Sequence, residues 1–164
     1  MFEANPTHLE DLQKSGLHFF ITALSDKVES KKYFSTGSTG DSFYKELTVH
    51  YENCEPQVIK TNTLNDLMRS KGFKIPQLIK IDTQGSELDI LRGTSDFIDK
   101  VYFLYLECHL SKYNEGSPSF GEYIDFLKSN GFVPCGAGEI NCRPKNYHFI
   151  QMDILFYNSN LLKF

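Results

Sequence analysis

Five acidic or imidazole side chains stand where the sequence predicts β-strands to end, and their chemistry suits ligand binding or proton transfer. They are Glu3, Asp26, Asp82, Glu107 and His109. In open α/β sheets, ligands bind outside the carboxyl ends of the strands. One such residue would mean little, but five together favour a functional site over a purely structural domain.

Glu107 and His109 are two positions apart, so they share a side if their strand continues. A carboxylate beside an imidazole can act as a general base with its orienting partner. The same two residues could also form a satisfied structural pair, and with Asp82 they could bind a divalent cation. No motif demands a metal, and we expect none.

The composition is that of one compact globular domain, which we expect to span residues 1–164. The chain has 17 Lys and Arg against 21 Asp and Glu, a formal charge of −4, and its 14 Phe and 9 Tyr can fill a large core. Its basic residues form no stripe, which argues against a nucleic-acid partner.

Membrane insertion and secretion are not predicted either. The longest apolar stretch, residues 101–106, is far too short to span a bilayer. No charged segment followed by an apolar one opens the sequence, so we expect no signal peptide. The four cysteines form no Cys-x-x-Cys pair, and we expect reduced thiols in a cytoplasmic protein.

Strand-like and helix-like segments alternate along the chain, which predicts an α/β domain with a mostly parallel sheet. Strands are predicted at residues 18–24, 28–34, 47–51, 57–60, 78–81, 101–106, 132–135 and 149–157. Helices are predicted between Asn5 and Gly16, from Thr63 to Gly72, after Gly85 up to Gly93, and from Phe120 to Gly131. Residues 35–42 form either a flexible connection or a mobile lid.

Residues 78–93 read Leu-Ile-Lys-Ile-Asp-Thr-Gln-Gly-Ser-Glu-Leu-Asp-Ile-Leu-Arg-Gly and resemble the signature of the FkbM-type S-adenosylmethionine-dependent methyltransferases. Residues 2–6, 23–26, 113–120 and 151–156 resemble further motifs of that family in the same order. The resemblance implies a Rossmann-like class I methyltransferase sheet, mostly parallel with an antiparallel last strand.

The resemblance also implies where S-adenosylmethionine would bind. Glu3, at the end of the family's second strand, would accept both ribose hydroxyls, and Asn5 belongs to the same motif. Ser25 and Asp26 end the third strand beside the adenine, where Asp26 would accept from the exocyclic amine. These four residues are the candidate cofactor-binding set.

The candidate catalytic residues are Asp82, Glu107 and His109, because the fourth and fifth strands of the family's sheet are neighbours. Transfer of a methyl group to a hydroxyl requires in-line positioning and a nearby base. The resemblance therefore predicts O-methylation of a small-molecule, sugar or lipid hydroxyl. The alternatives are an inactive remnant that acts as a binding or assembly module, and a metal-dependent enzyme.

One motif of the family is missing from this sequence. Family members begin with a central strand and an Asp-x-Gly-Ala-Asn-x-Gly turn, whereas this sequence begins at the second strand. The missing strand would leave two unpaired edges. The second strand could pair directly with the fourth, a second copy or partner chain could fill the gap, or the chain could be a fragment. In each case we expect a compromised pocket for the methionine end of the cofactor.

Overall fold

The computed structural model describes residues 1–37, 40–142 and 149–163 as a mixed α/β protein. Its helices are α1 (Leu9–Lys14), α2 (Leu64–Lys71), α3 (Glu87–Arg92) and α4 (Phe120–Ser129), with 3-10 turns at Pro6–His8 and Ile98–Lys100. Its strands are β1 (Phe2–Glu3), β2 (Phe20–Ile21), β3 (Ala23–Leu24), β4 (Ser30–Tyr33), β5 (Gln57–Asn62), β6 (Leu78–Ile81), β7 (Phe103–His109), β8 (Phe132–Cys142) and β9 (Phe149–Asn158).

The described strands form three sheets, with the orders β1-β2, β3-β5-β4 and β6-β7-β9-β8. The pairs β1/β2, β3/β5 and β6/β7 are parallel, whereas β4/β5, β7/β9 and β8/β9 are antiparallel. In the four-stranded sheet, β6, β7 and β8 therefore run in the same direction and the last strand, β9, runs against them, which agrees with the predicted mostly parallel sheet with an antiparallel last strand. β4 departs from that pattern in its own sheet. Among the described residues between β4 and β5 there is no helix, and β5 returns antiparallel to β4 without a helical crossover.

β1 and β6 belong to different sheets, and no ladder among the described residues joins them. Of the three alternatives for the missing strand, direct pairing of the second with the fourth strand is therefore not what the described residues form. Leu78 on β6 remains 52 % exposed beside this unpaired edge. A partner chain at the edge remains a prediction.

The structure confirms the predicted helices, and local sequence signals mark where two of them begin or end. The Thr63 hydroxyl accepts from the Asp66 backbone N–H at the start of α2, and Gly72 ends that helix with φ 64°. Ser119 and Glu122 form a reciprocal capping box at the start of α4.

The predicted strand at residues 47–51 is wrong, because the chain forms turns there. The Tyr51 backbone N–H donates to the Thr48 carbonyl, and Val49 is 79 % exposed. Leu47 is also exposed, whereas Tyr51 is buried, so the segment does not bury one alternating face as a strand would, and tertiary context overrides its β propensity.

The main core lies where α3 and α4 pack against the four-stranded sheet. Leu88 and Leu91 of α3 are completely buried, as the predicted inward stripe requires, and Leu104 and Leu106 of β7 are buried with them. α3 therefore sits rigidly beside the carboxyl ends of β6 and β7. In the described ranges, none of the helices combines the length and apolar character needed to cross a bilayer.

Gly93 ends α3 where the chain passes very close to β3. A Cβ at this position would lie 2.3 Å from the Ser25 carbonyl oxygen. We expect Gly93→Ala to lower the free energy of unfolding by about 2 kcal/mol, because the backbones must separate. Urea denaturation measures this change.

Gly121→Ala provides the matched control for Gly93→Ala. Gly121 is exposed in α4, and the nearest atom to a new Cβ would be 3.9 Å away. We expect this variant to gain about 0.5–1 kcal/mol from helix propensity. A Gly93→Ala protein as stable as the wild type would contradict the close approach.

Candidate active site

A cavity of about 530 Å³ opens at the carboxyl ends of β1, β3 and β6. Glu3 and Leu24 line it from the first two strands, and Asp82, Thr83 and Gln84 line it from the turn after β6. We call it the strand-end cavity. Three strand ends that meet at one cavity form the arrangement in which α/β proteins bind ligands.

Glu87 holds the turn between β6 and α3 in its conformation. Its Oε1 atom accepts from the backbone N–H groups of Thr83, at 3.0 Å, and Gly85, at 3.2 Å. Its Oε2 atom accepts a short hydrogen bond from the Tyr123 hydroxyl. Glu87 is fully buried, and its carboxylate connects the turn to Tyr123 of α4 through these hydrogen bonds.

The turn itself has an unusual backbone. Gln84 has φ 56° and Gly85 has φ 101°, so two successive residues are in the positive-φ region. A Cβ at Gly85 would also lie 3.0 Å from the Ser117 Cβ and 3.5 Å from the His109 Cε1. Glycine is therefore required at position 85, and the turn directs Gln84 towards β7.

Glu107 is a carboxylate held between two amides. Gln84 Nε2 donates to its Oε2 at 2.7 Å, and Gln151 Nε2 donates a short hydrogen bond to its Oε1. Glu107 is 7 % exposed. Burial, reinforced by the negative charge of Asp82, raises its pKa to about 8. A base of that strength can accept a proton near neutral pH.

Asp82 lies at the rim of the strand-end cavity and is exposed. Its carboxylate accepts from Lys80 Nζ at 3.0 Å. This hydrogen bond raises the pKa of Lys80. Asp82 is close enough to Glu107 for its negative charge to raise the pKa of Glu107, but the hydrogen-bond partner of Asp82 is the exposed Lys80.

His109 is placed differently from the expectation. It is 2 % exposed, and neither ring nitrogen has a hydrogen-bond partner among the described residues. Burial lowers its pKa, so the ring is held neutral. The predicted hydrogen-bonded pair with Glu107 is wrong, because Gln84 and Gln151 orient that carboxylate instead. In the described ranges, no three His, Cys, Asp or Glu side chains are grouped to bind a metal ion.

The candidate cofactor-binding residues divide into two groups. Glu3 lines the strand-end cavity, and its Oε1 atom accepts from the Asn5 backbone N–H at 2.7 Å. Asn5 and Ser25 are buried in structural contacts: Asn5 caps the Pro6–His8 turn, and Ser25 accepts from Lys31 Nζ. Asp26 is exposed outside the lining of this cavity.

Residues 41–46 form a loop that is attached to α3. The Tyr44 hydroxyl donates to Asp89 Oδ2 at 2.8 Å, and Lys31 Nζ contacts the same oxygen at 2.7 Å. Arg92 contacts the other Asp89 oxygen at 3.2 Å. The end of the predicted loop at 35–42 is anchored beside the cavity by Ser42, whose hydroxyl donates to the Gln84 carbonyl at 2.8 Å. Positions 38 and 39 of that loop lie outside the described residues.

Sequence reasoning missed the side chains that hold Glu107 and the turn. Glu87 had a local signal, since an acidic residue follows the Gly85 turn at the predicted start of a helix. Gln84 and Gln151 had no such signal, because they are 67 positions apart (151 − 84) and both reach Glu107 only through the pairing of β6 with β7 and of β7 with β9. Gln151 lies opposite His109 in that ladder.

The site combines a cavity at strand ends with a buried carboxylate, and α/β proteins bind ligands at such strand ends. The profile of the methyltransferase FkbM domain matches residues 1–134, so the chain belongs to this family. This confirms the resemblance of residues 78–93.

A curated relative is the hexuronic acid methyltransferase AglP of Haloferax volcanii. It is 25 % identical over 114 residues, which are 66 % of this chain and 46 % of the relative. The chain therefore spans about half the length of the relative that it matches. No solved structure is significantly similar to this one.

Proposed function

We propose that this chain is an S-adenosylmethionine-dependent methyltransferase domain and that the cofactor binds in the strand-end cavity. The observation that carries the proposal is the meeting of Glu3, Leu24 and the Asp82–Gln84 turn at one cavity of about 530 Å³. The order β6-β7-β9-β8, with β9 antiparallel, fits one half of a class I methyltransferase sheet.

The residues of the cavity suit the nucleoside part of the cofactor. Glu3 offers a carboxylate oxygen to ribose hydroxyls, as acidic residues do in dinucleotide-binding folds. Leu24, Phe43 and Ile90 provide apolar surface for the adenine ring. When bound, S-adenosylmethionine supplies a methyl group on a positively charged sulfur.

Glu107 is the residue we assign as general base. The acceptor hydroxyl gives its proton to the Glu107 carboxylate as its oxygen becomes methylated, so the residue ends the step as a neutral acid. Gln84 and Gln151 keep the carboxylate oriented before the step. Gln84 also lines the strand-end cavity, and its hydrogen bond to Glu107 supports a base close to the proposed cofactor.

The acceptor we propose is a hydroxyl of a small molecule, sugar or lipid. The relative's name specifies a hexuronic acid, and this supports the sugar class for the acceptor here. A second copy or a partner chain would cover the β6 edge, where Leu78 is exposed. The cytoplasmic location remains a prediction of the sequence.

Isothermal titration with S-adenosylhomocysteine tests the cofactor site. We expect the wild type to bind, and we expect Glu3→Gln to weaken binding about 10- to 100-fold, because a charged hydrogen bond contributes about 1.5–3 kcal/mol. Glu10→Gln, an exposed residue of α1, is the control and should bind as the wild type does. Absence of heat from the wild type at high protein concentration would contradict the proposal.

A further inference from the structure

A second cavity, of about 600 Å³, adjoins the first at Gln84. Among the described residues, Gln84 alone lines both cavities. We call this second space the polar cavity. Two cavities that meet at one side chain can hold two reactants on either side of it.

The lining of the polar cavity combines aromatic rings with hydrogen-bonding groups. Tyr51 and Tyr113 provide the rings, and the polar groups belong to Glu46, His50, Asn141 and Gln151. Tyrosines suit ligands that have both apolar and polar faces. Amide, carboxylate and imidazole groups hydrogen-bond to hydroxyls as donors or acceptors. The lining therefore favours a ring that carries several hydroxyls over a hydrocarbon chain.

The base lies at the boundary of this cavity. Gln84 and Gln151 both line the polar cavity, and both donate to the Glu107 carboxylate. A ligand hydroxyl that took the place of one amide hydrogen bond would meet a carboxylate oxygen directly. The geometry thus connects the polar cavity with the proposed general base.

A nearby segment contains buried polar atoms that lack partners. In the described part of the chain, these side-chain atoms are both ring nitrogens of His109, Ser111 Oγ and Asn114 Oδ1. All belong to residues 109–114, the segment that also carries Tyr113. Buried polar atoms are nearly always hydrogen-bonded. None of these three residues lines the polar cavity, so the case for a ligand there rests on the lining itself.

We propose that the polar cavity is the acceptor pocket and that it binds a pyranose-like sugar, with the reacting hydroxyl at Glu107 and the ring against Tyr51 and Tyr113. This inference rests on the proposed function, because it assigns the acceptor of that same reaction. Neutral sugars and uronic acids share the chemistry that the lining recognises.

Cys142 provides a direct reporter for this pocket. It lines the polar cavity, whereas Cys135 is exposed on the same strand and lies outside that lining. The rate of alkylation of each thiol by iodoacetamide is measured by peptide mass mapping, with saturating S-adenosylhomocysteine. The probes are methyl α-D-glucopyranoside, methyl α-D-glucopyranosiduronic acid and 1-octanol.

We expect at least one pyranoside to slow alkylation of Cys142 about tenfold at ten times its Kd, with Cys135 unaffected. Protection by the neutral or by the acidic pyranoside identifies whether the pocket binds a neutral sugar or a uronic acid. Protection by 1-octanol alone, or by no probe, would overturn the inference. Saturation-transfer NMR of the same probes measures binding even if Cys142 reacts slowly.

The two proposals fail in different ways. Isothermal titration with S-adenosylhomocysteine, measured on the same preparation, reports the cofactor site alone. Cofactor binding without pyranoside binding would leave the proposed function standing and reject the acceptor pocket. Pyranoside protection of Cys142 without cofactor binding would support a sugar site and reject the methyltransferase proposal.

Discussion

Replacement of Glu107 by glutamine is expected to reduce methyl transfer about 10²- to 10⁴-fold, the contribution typical of a general base. The amide has nearly the shape of the carboxylate but cannot accept the proton. Single-turnover assays with a pyranoside acceptor measure the effect. Glu139→Gln, on the exposed part of β8, is the matched control and should keep the wild-type rate.

The pH dependence follows from the pKa of Glu107, which burial raises to about 8. The base form accumulates as the pH rises, so the wild-type rate should increase through about pH 8. The variant should lack this increase. A wild-type rate that is flat between pH 6 and pH 9 would contradict the assignment of Glu107 as base.

The same ionisation affects stability in the opposite direction. The folded protein binds the Glu107 proton more tightly than the unfolded chain, whose pKa is near the ordinary 4.5. The stabilisation from this proton is complete below about pH 4.5 and is lost as the pH rises through about 8. The wild type should therefore lose stability relative to Glu107→Gln across that range, which urea denaturation at several pH values measures.

Replacement of Glu87 by alanine is expected to lower the free energy of unfolding by about 3–5 kcal/mol, because it leaves buried donors without their shared acceptor. Those donors are the backbone N–H groups of Thr83 and Gly85 and the Tyr123 hydroxyl. Chemical denaturation measures the loss. The turn after β6 should also become mobile, so S-adenosylhomocysteine binding should weaken.

Glu87→Gln is the matched variant, because it keeps the side-chain shape and the hydrogen-bonding capacity that alanine removes. Its amide oxygen can still accept from the turn, and its amide nitrogen can donate to the Tyr123 hydroxyl. We expect a loss of only about 1 kcal/mol. Equal losses for the alanine and glutamine variants would contradict this role, because glutamine keeps both the side-chain volume and the capacity to make these hydrogen bonds.

Much of the local structure could be predicted because its causes are local. Asn5, Thr63 and Ser119 accept from backbone N–H groups within the next few residues, and Gly72 ends its helix with a positive φ. These contacts depend on neighbours in the chain, so the sequence contains the information for them. The failure at residues 47–51 has the converse cause, because tertiary packing buries Tyr51 but leaves Leu47 and Val49 exposed, and this choice is not visible in the local sequence.

The candidate site was predictable only in part. The positions of Glu3, Asp82 and Glu107 followed from strand ends, and Glu3 and Asp82 do line the strand-end cavity. The sequence by itself determined the family, the alternation of strands and helices, and the carboxylates at strand ends. Each is a property of residue type and of spacing along the chain.

Only the tertiary structure decided what those carboxylates can do. It paired Glu107 with Gln84 and Gln151 rather than with His109, buried it so that its pKa rises, and separated β1 from β6. Ladder pairing joins residues far apart in the chain, and burial depends on every element packed around a group. Neither property can be read from the spacing of a few residues, which is why the general base became identifiable only after folding.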